Sequence, residues 1–132
     1  PHGAGISETD GRLVLHGGHL IGAVVDDLAA RTPAREVAAR FHAGLASLVA
    51  RALVRLRADT GLGTVVCSGG VFQNAVFAEA LARRVRAEGL VVLLHRQVPP
   101  NDGGIALGQV AVAAAWTFGP WRDRPGGPPS EA

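Results

Sequence analysis

The sequence predicts an α/β fold built on a short parallel βαβ sheet, with a long helix before it and a buried helix after it. Three observations carry this. Two continuous apolar runs, Thr64 to Cys67 and Leu90 to Leu94, flank an amphipathic stretch from Asn74 to Glu88. Glycines punctuate the junctions, at Gly69-Gly70, Gly89 and Gly103-Gly104. The run from Gly104 to Trp116 is almost uncharged, and a helix that is apolar all round is expected to be buried.

Taken in order, residues 1–11 are Gly-rich and polar and read as a lead-in segment. Arg12 to His16 is a short expected strand that ends at Gly17-Gly18. Leu20, Val24, Val25 and Leu28 recur at helical spacing, so Leu20 to Ala30 is a helix. Thr32-Pro33 is a start signal, a hydroxyl N-cap followed by proline at the first helical position. The helix it opens, Pro33 to Asp59, carries Val37, Phe41, Leu45, Leu48, Val49, Ala52 and Leu56 on one face. Gly61 and Gly63 stop it.

Thr64 to Cys67 is then a strand buried on both faces. The helix Asn74 to Glu88 follows, with Phe77, Leu81 and Val85 inward, and Leu90 to Leu94 is the second strand. Pro99-Pro100 forces an extended loop. Residues 12–118 form one domain, and the Pro/Gly-rich 119–132 is a loosely held tail.

Composition narrows the function classes. A chain of 132 residues with 48% hydrophobic content buries a real core. Aromatic residues are only 5%, which supplies no platform for stacked bases. All 13 basic residues are Arg, scattered among acidic residues to a net charge of +2, so no nucleic-acid stripe is expected. One cysteine excludes an internal disulfide and gives no zinc spacing. With no apolar run near about 18 residues and no signal-peptide pattern, a membrane span is not expected and a cytoplasmic location is. Met is absent, so a processed product or an excised piece is expected.

A right-handed βαβ unit runs its strands parallel, which brings the loops after both strands to one edge. Ligands of open α/β sheets bind at that edge. Gly69 and Gly70 let backbone approach a ligand closely, and the helix that follows offers amides to an anion. Asn74 can donate and accept at once, as recognition of a ribose or base requires. Asp102, before Gly103-Gly104, is a candidate carboxylate ligand for a divalent metal on phosphate. The plainer alternatives remain: a Gly-Gly packing turn, and helix N-caps at Asn74 and Asp102. A helix N-terminus also repels a bare cation, so a metal needs phosphate or further anionic ligands.

Other candidates fall away. His16 and His19 are too few for a metal site, and the glycines between them leave their geometry soft. His42 reads as a structural histidine of the long helix, while His95 ends a strand beside the candidate edge. Cys67-Ser68 lacks the glycine of a nucleophile elbow, and Cys67 is expected to point inward. No Walker loop and no dinucleotide fingerprint is present.

Ser68-Gly69-Gly70-Val71-Phe72-Gln73-Asn74, followed by Pro99-Pro100-Asn101-Asp102-Gly103-Gly104-Ile105-Ala106-Leu107-Gly108-Gln109, resembles the C-terminal end of the HypF carbamoyltransferases. Phe41-His42 fits that family too, and the resemblance covers about Arg12 to Trp116. It implies half of an actin-like ATPase (ASKHA) domain, of the Kae1-like type. It also implies an enzyme that makes carbamoyl adenylate from carbamoyl phosphate and ATP, then carbamoylates the C-terminal cysteine of HypE during hydrogenase maturation. Carried over, Gly69, Gly70 and Asn74 would contact nucleotide and Asp102 would bind a divalent metal (Mg, Fe or Zn). No residue of this chain is assigned as catalytic. The family's metal-binding His pair has no match here, so the chain is expected to be inactive alone. Its expected partners are a HypE-like acceptor and the upstream half of the domain or a second chain, with homodimerisation when isolated. The alternative is a structural half-domain that has lost nucleotide binding.

Overall fold

The computed structural model describes residues 5–119. In chain order these form β1 (Ile6–Thr9), β2 (Arg12–Leu15), α1 (Gly18–Ala29), α2 (Ala34–Thr60), β3 (Thr64–Cys67), a 3₁₀ turn (Gly70–Gln73), α3 (Ala75–Ala87), β4 (Val91–Leu94), a second 3₁₀ turn (Asp102–Gly104) and α4 (Ile105–Phe118). β3 and β4 pair in parallel, with Thr64 opposite Val91 and Cys67 opposite Leu94. The expected βαβ unit is there, two strands wide. Apart from Gly119, the expected tail lies outside the described residues.

The lead-in reading of residues 1–11 needs correction. Residues 6–9 are a strand, antiparallel to β2, with Ile6 opposite Leu15 and Thr9 opposite Arg12. Asp10 and Gly11 join them with φ of 51° and 71°, the two-residue turn whose twist suits a hairpin. Arg55 of α2 reaches both Glu8 (3.1 Å) and Asp59 (3.2 Å). All three side chains are about half exposed, so each pair contributes at most about 1 kcal/mol.

α1 ends on a left-handed residue. Arg31 has φ 57°, with its amide on the Leu28 carbonyl (3.0 Å) and the Thr32 amide on the Asp27 carbonyl (2.9 Å). Such a terminus favours glycine, because a Cβ is strained there. Arg31→Gly is expected to stabilise the chain by roughly 0.5–1 kcal/mol, the relieved strain outweighing glycine's extra entropy. A urea midpoint that stays put or falls rejects this.

Thr32 does not cap α2. Its hydroxyl is directed to Asp27 (3.5 Å), and Pro33 occupies the cap position, its carbonyl accepting from the Glu36 (2.8 Å) and Val37 (3.2 Å) amides. α2 also corrects the expectation that no stretch has the length and apolarity of a membrane span, since an 18-residue window in it reaches a mean hydropathy of 1.3. Its apolar face is spent on the protein's own core.

That core lies between the two long helices and one face of the sheet. Ala46 and Ala50 of α2 meet Phe77, Ala80, Leu81, Ala82 and Val85 of α3, with Cys67, Leu90 and Val92 beneath. Small side chains on both helices permit close approach, and the few large ones fill the remaining space.

Two burial expectations fail, for one reason. β3 is not buried on both faces: Val66 is 69% exposed, as are Val91 (56%) and Leu93 (51%) of β4, while their neighbours Cys67 and Val92 point into the core. The C-terminal helix is not buried either, since α4 has no buried residue. Strands and helices of this composition need cover on every apolar side. α2 and α3 cover one face of the sheet, and the described residues supply no second layer.

Candidate functional site

The parallel pairing places the loops after β3 and β4 at one edge, and two contacts tie them together. The Gly69 amide donates to the Pro100 carbonyl (2.6 Å), and Ser68 Oγ lies 2.9 Å from His95 Nε2. The turns are thus one surface.

Gly69 has φ 106° and ψ 160°, a conformation that side chains with a Cβ do not adopt readily. At Gly104 a Cβ would stand 2.8 Å from the Pro99 carbonyl oxygen and 3.1 Å from Val98 Cγ1, so glycine there lets the second turn fold back on itself. Gly70 is different. Its φ is ordinary, and a Cβ built on it meets nothing within 4 Å. Packing among the described residues does not require glycine at 70, and they leave the space in front of it open.

The glycine pair does not lead straight into α3, as the sequence suggests. It opens the 3₁₀ turn Gly70–Gln73, and α3 starts at Ala75. Phe72 explains the detour, because its ring packs against Phe77 (centroids 5.8 Å apart) and draws the turn toward the core. Asn74 is the N-cap of α3, its Oδ1 accepting from the Phe77 amide (3.1 Å). Its nitrogen lies 2.8 Å from His42 Nε2. One amide hydrogen and one oxygen lone pair remain uncommitted on this exposed side chain.

The second turn is capped by Asn101, whose Oδ1 accepts from the Gly103 amide (3.1 Å). The cap reading of Asp102 is therefore displaced by one residue. Its carboxylate is exposed, and among the described residues it takes part in no hydrogen bond or ion pair. No group of three or more His, Cys, Asp or Glu stands close enough among the described residues to hold a metal ion. Asp102 fits a divalent cation only as one ligand of a set completed by other groups.

Of the demoted residues, His16, His19 and Cys67 stay outside the site. His16 is engaged with Ser7 (2.7 Å), and the His19 ring packs over Gly5. Cys67 lies in the core, where burial pushes its thiol pKa up, partly opposed by the Arg86 guanidinium. Ser68 and His95 form a hydroxyl–imidazole pair, with no carboxylate bonded to the imidazole among the described residues. The pairings His42–Asn74 and Ser68–His95 bridge 32 and 27 positions, and no local pattern in the sequence announces them.

Fold and site together define an α/β protein of the βαβα type, with two interlocked turns at the carboxyl edge of a parallel sheet. The chain belongs to the Kae1-like carbamoyltransferase family: residues 3–109 match the model of the second subdomain of that domain. It is 50% identical over 90 residues to carbamoyltransferase HypF2 of Cupriavidus necator, which covers 68% of this chain and 11% of that protein. A HypF homolog of the same organism is 39% identical over 117 residues, covering 85% of this chain and 28% of its own length. The fold is similar to that in the crystal structure of full-length HypF in the phosphate- and nucleotide-bound form, with a TM-score of 0.79 and 30% identity. That likeness covers 87% of this chain and 15% of the HypF chain. The chain thus spans a small part of the relatives it matches.

Proposed function

We propose that this chain is the C-terminal subdomain of a HypF-like carbamoyltransferase and forms one wall of an ATP or carbamoyl-adenylate site. The observation that carries this reading is the locked pair of turns, with open space at Gly70, a half-committed Asn74 amide and a free Asp102 carboxylate on one edge. The similar full-length HypF is described as phosphate- and nucleotide-bound, which supports placing a nucleotide against the equivalent surface. In this reading the chain supplies half of an actin-like ATPase domain. The enzyme it serves carbamoylates the C-terminal cysteine of a HypE-like acceptor in the cytoplasm.

The chain's part in that chemistry is positioning. Gly69 and Gly70 admit the nucleotide against the backbone, and Asn74 hydrogen-bonds its ribose or base. Asp102 contributes one carboxylate to a divalent metal (Mg, Fe or Zn), which would neutralise phosphate charge when bound. Held by one carboxylate, the metal needs ligands from the upstream half of the domain, so the isolated chain is expected to transfer no carbamoyl group.

Titration with ATP and Mg²⁺ tests this, with the chain alone and with the upstream half supplied. Binding is expected only in the reconstituted pair, strongly weakened in Asn74→Ala and lost in Asp102→Ala. Binding that survives both substitutions overturns the reading.

A second reading rests on the uncovered surfaces. α4 leaves an apolar face open along Ile105, Gly108, Val112, Ala113 and Trp116, and the outer sheet face exposes Val66, Val91 and Leu93. Apolar area of this kind marks an interface. In this reading the chain is an interaction half-domain that pairs with a second chain, or with its own copy when isolated, without nucleotide. Stable pairing with no ATP binding in either condition would select it.

A further inference from the structure

The Asn74 side chain is held from behind by a residue of α2. His42 lies in α2, and its Nδ1 is 2.7 Å from the Ala38 carbonyl oxygen one helical turn earlier. A carbonyl oxygen only accepts, so Nδ1 carries the hydrogen. Its Nε2 is 2.8 Å from the Asn74 amide nitrogen. The Phe77 amide donates to the other end, Oδ1, at 3.1 Å, so the atom facing His42 is the amide nitrogen, which only donates. Nε2 is therefore the bare acceptor. A neutral imidazole offers one donor and one acceptor, and both are used.

The result is a directed chain of hydrogen bonds from the Phe77 amide through Asn74 and His42 to the Ala38 carbonyl. It runs from the start of α3 into the backbone of α2, and every link has one permitted direction. The ring is partly buried and turned edge-on to Phe41, with centroids 6.0 Å apart, which limits its rotation.

We propose that His42 is a positioning residue for ligand recognition at the first turn. By accepting from Asn74, it fixes which end of that amide faces outward and so presents a set hydrogen and a set lone pair to the ligand. The proposal rests on reading Asn74 as a nucleotide contact. An asparagine that served only as an N-cap would need the Phe77 bond alone. The tie to α2 instead fixes the second torsion of the side chain, a constraint that a cap does not require and that a preorganised site does.

The test has two arms, so that the geometry and the nucleotide reading fail separately. In the first, nitrogen-15 NMR of the full 132-residue chain reads the His42 tautomer at a pH where histidine is neutral, with the resonance assigned by its loss in His42→Gln. A protonated Nδ1 with a bare Nε2 is expected. The opposite tautomer overturns the proposal without any ligand.

In the second arm, ATP with Mg²⁺ is titrated into the chain paired with its upstream half. His42→Phe, which keeps the ring volume and removes the acceptor, is expected to weaken ATP binding about tenfold. His42→Gln, whose side-chain oxygen can stand near the Nε2 position, is expected to restore most of the loss. His42→Phe combined with Asn74→Ala should be no worse than Asn74→Ala alone. If Asn74→Ala weakens ATP and His42→Phe does not, the positioning role falls and the nucleotide reading stands. If ATP does not bind the wild-type pair, both fall. Unfolding curves and amide exchange at Phe77 separate a lost site from a lost fold, since faster exchange at an unchanged urea midpoint is expected for His42→Phe.

Discussion

Leu81→Ala is expected to unfold the chain or leave it barely folded at room temperature. Leu81 is 2% exposed and sits on α3 at the centre of the cluster joining α2, α3 and the inner sheet face. Removing a buried leucine side chain costs about 2–5 kcal/mol, depending on how far the surroundings collapse. Collapse is restricted here, because four of the ten cluster residues, Ala46, Ala50, Ala80 and Ala82, are alanines with nothing to reorient. Domain stabilities are about 5–15 kcal/mol, and the described residues leave the outer sheet face and α4 uncovered, which favours the low end. Urea unfolding followed by circular dichroism measures the effect, with Leu81→Met as the volume-conserving control expected to cost less than about 1.5 kcal/mol. A Leu81→Ala midpoint within error of wild type would mean that the helix–sheet cluster does not hold this fold.

Gly104→Ala is expected to remove the site while sparing the core. The new Cβ would meet the Pro99 carbonyl oxygen at 2.8 Å, and backbone cannot move aside as a flexible side chain can. Relief requires the 99–104 turn to open, and Pro100 in that turn accepts the Gly69 amide. Displacing it frees the first turn and shifts Asp102, which follows in the same turn. Overpacking of this kind costs about 1–3 kcal/mol, less than the core substitution, because the turn is at the surface. The expected signature is a modest fall in urea midpoint together with loss of ATP and Mg²⁺ binding by the reconstituted pair. Gly70→Ala provides the contrast. Its Cβ meets nothing within 4 Å among the described residues, so stability should hold while any ligand that approaches the backbone there is obstructed. Equal effects of Gly70→Ala and Gly104→Ala on the urea midpoint would refute this division of labour.

Sequence alone determined the parts of this protein that depend on local periodicity and chain connectivity. Apolar runs at 64–67 and 90–94 around an amphipathic helix dictate a parallel pair, and parallel strands oblige both turns to share an edge. The long helix, the inward face of α3 and the position of Cys67 follow from spacing in the same way. The Asp10-Gly11 hairpin was equally local, and its second strand was legible, yet a polar, glycine-rich composition masked the first, Ile6–Thr9. Tertiary structure decided what depends on which surfaces are available. It left β3 and α4 exposed, because apolarity states a demand for cover and does not supply it. At the candidate site, it moved the second cap to Asn101, freed the Asp102 carboxylate, and joined Ser68 to His95 and Asn74 to His42 across 27 and 32 positions. Such pairings are fixed by the packing of whole elements, which no window of neighbouring residues encodes.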